Sequence, residues 1–372
     1  MQYKLLVKKV SVSADKKTKQ KEYMSSGKLP IIDQGKLLIG GYTDDISKQL
    51  PCNLPVIVFG DHTKNVKFIS FPFGAGADGI KVLEPKSDML AKYLYYGTLY
   101  LTFKIEDKGY ARHYQHIEKQ DLPVPPLPEQ ERIVARIEEL FSELDKAVET
   151  LKKTKEQLAV YRQAVLKEAF DSINNFDKDS VQSICDNIVD CPHSTPKWTQ
   201  KGKICLRTSN FKRGYLDLTE INYVSEETYN IRNARLIPQP GDILYSREGA
   251  ILGIACIIPE NLCVCLGQRM MLLRPNTRVV NKFLMYYLNS PRVTAYVASI
   301  TGGSASPHVN VGDIKNFKLP VPPISEQIKL IEKLESRLSV CDSVEKTIDT
   351  ALQEAEAMRQ SILKKAFEGG FI

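Results

Sequence analysis

The 372-residue sequence lacks the short patterns that announce most enzymes. It contains no G-x-x-x-x-G-K-[ST] phosphate loop, no G-x-S-x-G nucleophile elbow and no H-E-x-x-H zinc helix. An N-P-P-[YF] or D-P-P-Y run, which positions a base amino group in adenine methyltransferases, is also missing. Histidine is scarce, at 62, 113, 116, 193 and 308; "HYQH" at 113–116 could share a helix face, but two imidazoles alone mark a polar loop or interface more than a metal site. The eight cysteines have no Cys-x-x-Cys spacing, and "CVC" at 263–265 alone makes no metal site. Reduced, mostly buried thiols are expected, with no metal ligand and no catalytic residue. No apolar run reaches the roughly 18 residues of a membrane span, and the lysine-rich start is too polar for a secretory signal. A cytoplasmic protein away from membranes is the expectation. The single tryptophan, Trp198, is expected to pack rather than stack on a base. "GAGADG" at 74–79 has dinucleotide-site glycine spacing, but β-branched residues and Pro85 follow where a helix should open.

What the sequence does contain is a repeat. "LPVPPLPEQ" at 122–130 returns as "LPVPPISEQ" at 319–327, and "RQAVLKEAF" at 162–170 returns as "RQSILKKAF" at 359–367, all at an offset of 197. That is an internal duplication. Upstream, "GKLPIIDQG" at 27 resembles "GKICLRTSN" at 202, "LPVIVFG" at 54 parallels "PGDILYS" at 240, and "KYLYYG" at 92 parallels "KFLMYYL" at 282. The offset drifts through 175, 186 and 191 (Tyr95 and Tyr96 against Tyr286 and Tyr287) before reaching 197. The predicted domains are a globular unit at 1–122, a junction and helix at 123–170, a second unit at 171–319, and a second junction and helix at 320–372.

Heptad spacing marks the helices. Ile137, Leu144, Leu151, Leu158 and Val165 form one seam; Leu334, Cys341, Ile348, Ala355 and Ile362 form a weaker one in the same phase. Neither helix has an internal proline or glycine, and each would span roughly 60–65 Å at 1.5 Å per residue. "PVPP" is an extended, stiff connector between unit and helix. Short apolar runs bounded by turn residues ("LPVIVFG", "VKFISF", "GIKVLEP"; "GDILYS", "IACIIPE", "MMLLRP") predict strands, with helices at 88–96 and 280–290. The fold class expected is α+β: two mixed domains separated by two long helices in an antiparallel coiled coil, with a pseudo-twofold internal repeat.

The net charge of +7 is uneven: residues 1–126 carry +6 and 171–323 carry +4, whereas 127–170 and 324–372 carry −1 and −2. Basic units on acidic spacers suit binding of a polyanion such as double-stranded DNA at two half-sites. Arginine and lysine suit guanine, Asn and Gln suit adenine, and hydroxyls suit phosphate. By those types the DNA-contact candidates in the first unit are Gln34, Lys36, Asp61, His62, Thr63, Lys64 and Arg112. In the second they are Ser209, Asn210, Lys212, Arg213, Ser246, Arg247, Gln268, Arg269, Thr301, Gly302, Gly303 and Ser304. Glu129, Gln130, Glu326 and Gln327 open the two helices; they are read equally as helix-end residues and as an interface to partner subunits. A stand-alone regulator, an enzyme with an unseen site and a coiled-coil scaffold are the rival classes.

The duplicated junctions, the helices ending in "LKEAF" and "LKKAF", and the pieces "STPKW" (194–198) and "PGDILYSREG" (240–249) resemble the specificity subunits of type I restriction-modification systems, over essentially the whole chain. The resemblance implies a non-catalytic subunit whose two target recognition domains bind a split DNA target. It further implies two modification subunits that supply S-adenosylmethionine and methylate adenine, with two restriction subunits as a further addition. The helices would set the unread gap between half-sites. "LPVIVFGDHTK" departs from the more typical "GDILYSREG", and the first unit lacks "STPKW", so the two units are expected to read different sequences.

Overall fold

Each proline junction runs straight into a long helix, because Pro cannot continue a ladder but suits a helix's first turn. In the computed structural model, which describes residues 1–77, 79–106, 111–302 and 307–371, the central helix is Leu127–Asp171 and the C-terminal helix Ile324–Phe367. Two compact units result, residues 1–152 with 348–372 and residues 153–347. They cut across the contiguous division read from the sequence: each unit takes one globular part, a stretch of the central helix and a stretch of the C-terminal helix.

The first unit holds β1 (Val7–Val10), β2 (Lys17–Thr18), β3 (Leu29–Ile32), β4 (Gly41–Thr43), β5 (Val56–Gly60), β6 (Val66–Ile69), β7 (Gly74–Gly76) and β8 (Ile80–Pro85). One antiparallel sheet has the order β1-β8-β5-β6. The other, β2-β7-β3-β4, is parallel except for β3 with β4. β5 is apolar throughout because it is buried on both faces. Ile57 and Phe59 pack with Leu83 against the helix Ala91–Phe103, while Val56 and Val58 pack with Ile32, Phe73 and Ala75.

The second unit holds β9 (Lys178–Ser180), β10 (Cys185–Asp190), β11 (Trp198–Thr199), β12 (Lys203–Leu206), β13 (Asn222–Val224), β14 (Ile243–Ser246), β15 (Ala255–Ile257), β16 (Val264–Leu266), β17 (Met270–Pro275) and β18 (Lys318–Pro320). The antiparallel sheet β10-β17-β14-β15 repeats the first unit's order, and the parallel pair β12 with β16 repeats β3 with β7. Ile243 and Tyr245 face one core and Leu244 the other, as in β5.

Strand register refines the repeat. Ile57 opposite Leu83 and Ile243 opposite Leu273 confirm 186 for the middle strand and give 190 for its partner. With β7 and β16 also 190 apart, Ile31 opposite Gly74 and Ile204 opposite Val264 give 173, not 175, for β3 and β12. The helix Ala91–Phe103 corresponds to Asn281–Leu288 at 190, not 191. Lys92 pairs with Glu138 at 2.7 Å and Lys282 with Glu335 at 2.6 Å, while the Tyr96 and Tyr286 hydroxyls donate to the same two carboxylates at 3.5 and 3.4 Å. Tyr96, rather than Tyr95, is therefore the counterpart of Tyr286. The first of these helices outruns the predicted 88–96 because Leu101 continues its buried face; the second stops as Pro291 opens a new helix, Pro291–Thr301.

The long helices pair antiparallel within each unit. In the first, Arg359 pairs with Asp145 and lies 4.9 Å over the Phe141 ring. In the second, the repeat-equivalent Arg162 pairs with Asp342 at 2.7 Å and with Glu345 at 2.9 Å. Helix ends are anchored by the repeated phenylalanine: Phe367 lies 5.0 Å from the Tyr93 ring, and Phe170 lies 5.5 Å from Phe283. The seam read as weaker is well buried at Leu334, Cys341, Ile348 and Ala355, the small Cys341 and Ala355 alternating with the larger Leu334 and Ile348. Among the described residues no helix is long and apolar enough to cross a membrane.

The junction glutamines are fully buried. Gln130 Oε1 accepts from Leu90 N at 2.8 Å, and its Nε2 donates to Asp88 O at 2.9 Å and Pro125 O at 2.8 Å. Gln327 does the same with Val280 N (2.9 Å), Arg278 O (3.0 Å) and Pro322 O (2.8 Å). Each amide locks its junction to the helix before it. This corrects the partner-interface reading of Gln130 and Gln327, whose polar atoms are used inside the unit. Glu129 is half-buried and Glu326 exposed, the latter 2.8 Å from Lys329.

Candidate nucleic-acid interface

In the first unit the candidates gather where β5 ends. The turn Asp61–Asn65 closes through Gly60 N to Asn65 O (2.8 Å) and Lys64 N to Gly60 O (2.9 Å), with Lys64 at φ +58°. The Gln34 carbonyl accepts from Thr63 Oγ1 at 2.6 Å and Asn65 Nδ2 at 2.8 Å, which seats the end of β3 on this turn. Asp61 is buried: Oδ1 accepts from Tyr114 N at 2.9 Å, its carbonyl accepts from His113 N at 2.8 Å, and Lys81 Nζ lies 3.5 Å from Oδ2. That carboxylate holds the segment 111–114 against the turn, so Asp61 is corrected from DNA contact to anchor. His62 Nδ1 lies 3.1 Å from Ala111 O, and Arg112 is exposed beside it. The structure thus brings Gln34, His62, Thr63, Lys64 and Arg112 together; Lys36 is exposed two residues beyond Gln34.

The second unit builds the same framework with other side chains. Ser246, at the end of β14, is fully buried and its Oγ accepts from Ile254 N at 2.9 Å. Arg247 is 7% exposed and grips Asp190 with Nε (2.8 Å) and Nη2 (3.0 Å); Glu248 lies 2.8 Å from Nη2. Burial alone would lower its basicity, but the Asp190 and Glu248 carboxylates outweigh it and leave the guanidinium more basic than usual. Asn210 is buried, its Oδ1 accepting from Arg207 N at 2.9 Å and its Nδ2 donating to Asp217 O and Glu220 O at 3.0 and 2.8 Å. Ser246, Arg247 and Asn210 are therefore corrected from DNA contacts to internal supports.

Other candidates are accessible or half-buried. Ser209, Lys212 and Arg213 are exposed on a separate loop whose Gly214 N donates to Ala255 O at 2.9 Å. Arg269 is exposed at φ +68°, and Gln268 is half-buried with Oε1 accepting from Thr195 Oγ1 at 3.4 Å and its amide donating to His193 O. Thr301 donates to Val297 O at 2.7 Å within its own helix, with Gly302 exposed after it; Gly303 and Ser304 lie outside the described residues.

Residue types alone missed His193, whose Nε2 is 3.1 Å from Asp190 Oδ2, and misplaced Trp198. Trp198 is 41% exposed on the two-residue edge strand β11, with the Arg207 guanidinium 6.0 Å from its ring centroid. Too little of the sheet lies beside β11 to cover an indole. The run "GAGADG" leads from β7 into β8 and not into a helix, against a dinucleotide site. Five of the eight cysteines are buried.

The family model for the type I restriction modification DNA specificity domain matches residues 8–159 and 192–354. The specificity subunit of the EcoBI type I restriction enzyme of Escherichia coli is 27% identical over 275 residues, covering 67% of this chain and 58% of that subunit. The EcoR124I/EcoR124II specificity subunit of Escherichia coli is 22% identical over 338 residues, covering 88% and 83%. This chain thus spans less than two thirds of the first relative's length but most of the second's. A chain of a solved structure described as showing complex assembly and conformational transition of the type I R-M system shares the fold, at a TM-score of 0.67 and 18% identity over 99% of this chain and 96% of that one. Two repeats of one strand-and-loop framework, each closed by a proline junction and threaded by two long helices, carry that match over most of their length, and the chain belongs to the type I restriction modification DNA specificity domain family.

Proposed function

We propose that this chain is the DNA-reading, non-catalytic specificity subunit of a type I restriction-modification complex, acting in the cytoplasm. One observation carries the reading: the strand-end framework occurs twice with matching backbone bonds, His113 N to Asp61 O and Val309 N to Arg247 O, both 2.8 Å, while the exposed side chains around it differ. A fixed scaffold with variable amides and cations suits the reading of two unlike half-sites. The basic excess of both globular parts supplies the phosphate attraction. Two modification subunits dock and bring S-adenosylmethionine and the adenine methylation chemistry; two restriction subunits complete a cleaving complex.

Co-expression with the modification subunit of the same genome, followed by mapping of methylated adenines, tests this. A bipartite motif with a fixed gap is expected; a stable complex that leaves no such motif sinks the reading. The helices set the gap. One extra turn in each, about 5.4 Å, is expected to lengthen it by one or two base pairs at about 3.4 Å each, and an unchanged gap overturns that part.

A further inference from the structure

Positions 79 and 269 are the same place in the repeated fold. Each immediately precedes the long strand beside the middle strand, β8 or β17. Each carbonyl accepts the amide of the residue that leaves the middle strand: Asp61 N donates to Gly79 O at 2.6 Å, and Arg247 N to Arg269 O at 3.0 Å. Each has a left-handed backbone, with φ of +81° and +68°. Glycine adopts that conformation freely and arginine does so at a cost. An arginine there carries a backbone cost that a task for its side chain would offset.

The surroundings supply one. A Cβ on Gly79 would lie 2.6 Å from Gln34 Oε1 and 2.8 Å from Gln34 Nε2, so the Gln34 amide fills the place where position 269 puts its side chain. The turn that seats Gln34 is held mainly through its backbone carbonyl; of the side chain, Oε1 accepts a long 3.4 Å bond from His62 N, and Nε2 has no hydrogen-bond partner among the described residues. Arg269 is exposed, makes no ion pair among the described residues, and lies so close to Gly249 that a Cβ there would come 3.2 Å from its Nη1. Arg207, which the offset of 173 makes the repeat equivalent of Gln34, turns its guanidinium toward Trp198. One long planar donor therefore occupies this place in each unit, delivered from different segments of the chain.

We infer that Gln34 and Arg269 are equivalent specificity-determining residues, Arg269 recognising one guanine in one half-site and Gln34 one adenine in the other. A guanidinium pairs with guanine O6 and N7, and a carboxamide with adenine N6 and N7. The inference rests on the DNA-reading function proposed above and deepens it.

The test compares methylation motifs made by the co-expressed complex of the full chain with its modification subunits. Arg269→Gly suits the left-handed backbone and keeps the fold. It is expected to make a single guanine position degenerate in one half-site, with preference there falling about 10- to 100-fold. Gln34→Ala is expected to do the same at one adenine of the other half-site, because the turn keeps its two bonds to the residue-34 carbonyl and loses only the 3.4 Å bond from His62 N. Arg269→Lys keeps the charge and exchanges the planar fork for a single ammonium, so it should relax the guanine less than Arg269→Gly does. Unchanged motifs in both variants, relaxation of the same half-site by both, or an unchanged motif with Arg269→Lys where Arg269→Gly abolishes modification, each overturn the inference; the last would make Arg269 a phosphate anchor. A wild-type complex that writes no bipartite motif overturns instead the function on which it rests.

Discussion

Gln327→Leu should destabilise the chain by about 3–5 kcal/mol, and Gln130→Leu by a comparable amount. Leucine keeps most of the volume of this fully buried side chain but leaves Val280 N, Arg278 O and Pro322 O facing an apolar group, the last of them in a buried bond and the other two part-buried. Burying a polar group without a partner costs about 1–3 kcal/mol each, and three are orphaned at once. Glutamate is no remedy, since a carboxylate cannot donate to Arg278 O and Pro322 O and would have to be buried charged or protonated. Glu326→Ala, one residue away and exposed, should change stability by less than about 1 kcal/mol. Urea unfolding of the full chain measures the contrast. A Gln327→Leu loss no larger than that of Glu326→Ala would show that the amide is replaceable and the junction held by its prolines alone.

Asp190→Ala is the second large effect, about 3 kcal/mol. It leaves Arg247, only 7% exposed, without its two-pronged partner, retaining Glu248 at 2.8 Å and the Val309 carbonyl at 3.4 Å. Removing one member of a buried pair costs more than removing both, because the surviving charge stays desolvated. The double variant Asp190→Leu with Arg247→Met should therefore recover most of the loss. The local readout is hydrogen exchange, which should accelerate at Arg247 N, bonded to Arg269 O, and at Val309 N, bonded to Arg247 O. Asp190→Ala within about 0.5 kcal/mol of wild type, with exchange unchanged, would show that Glu248 alone holds the arginine.

These two sites show where residue type misled. Arg247, Ser246, Asn210 and Asp61 have the chemistry of base and phosphate readers, and all four are buried supports of the loops that carry the exposed residues. A DNA-reading loop needs polar groups both to face the duplex and to close its own backbone, and the same residue types serve both ends. Trp198 went the other way: an indole is usually covered, but a two-residue edge strand leaves this one 41% exposed.

The sequence by itself determined the plan of this protein. An offset of 197 across both junctions and helices declares the duplication, heptad spacing declares the helices, and apolar runs bounded by turn residues place three strands of each antiparallel sheet close to where they lie, leaving out the edge strands β1 and β10. These features are periodic or repeated, so local spacing carries them. Only the tertiary structure decided what depends on distant segments meeting. It buried the junction glutamines against residues about 40 to 50 positions earlier, divided each long helix between two units, and set Arg247 on Asp190. It also placed the Gln34 amide over Gly79, where the other unit carries Arg269. Burial and hydrogen-bond partnership arise from packing between elements far apart in the chain, and no local pattern encodes which of two identical side chains turns inward.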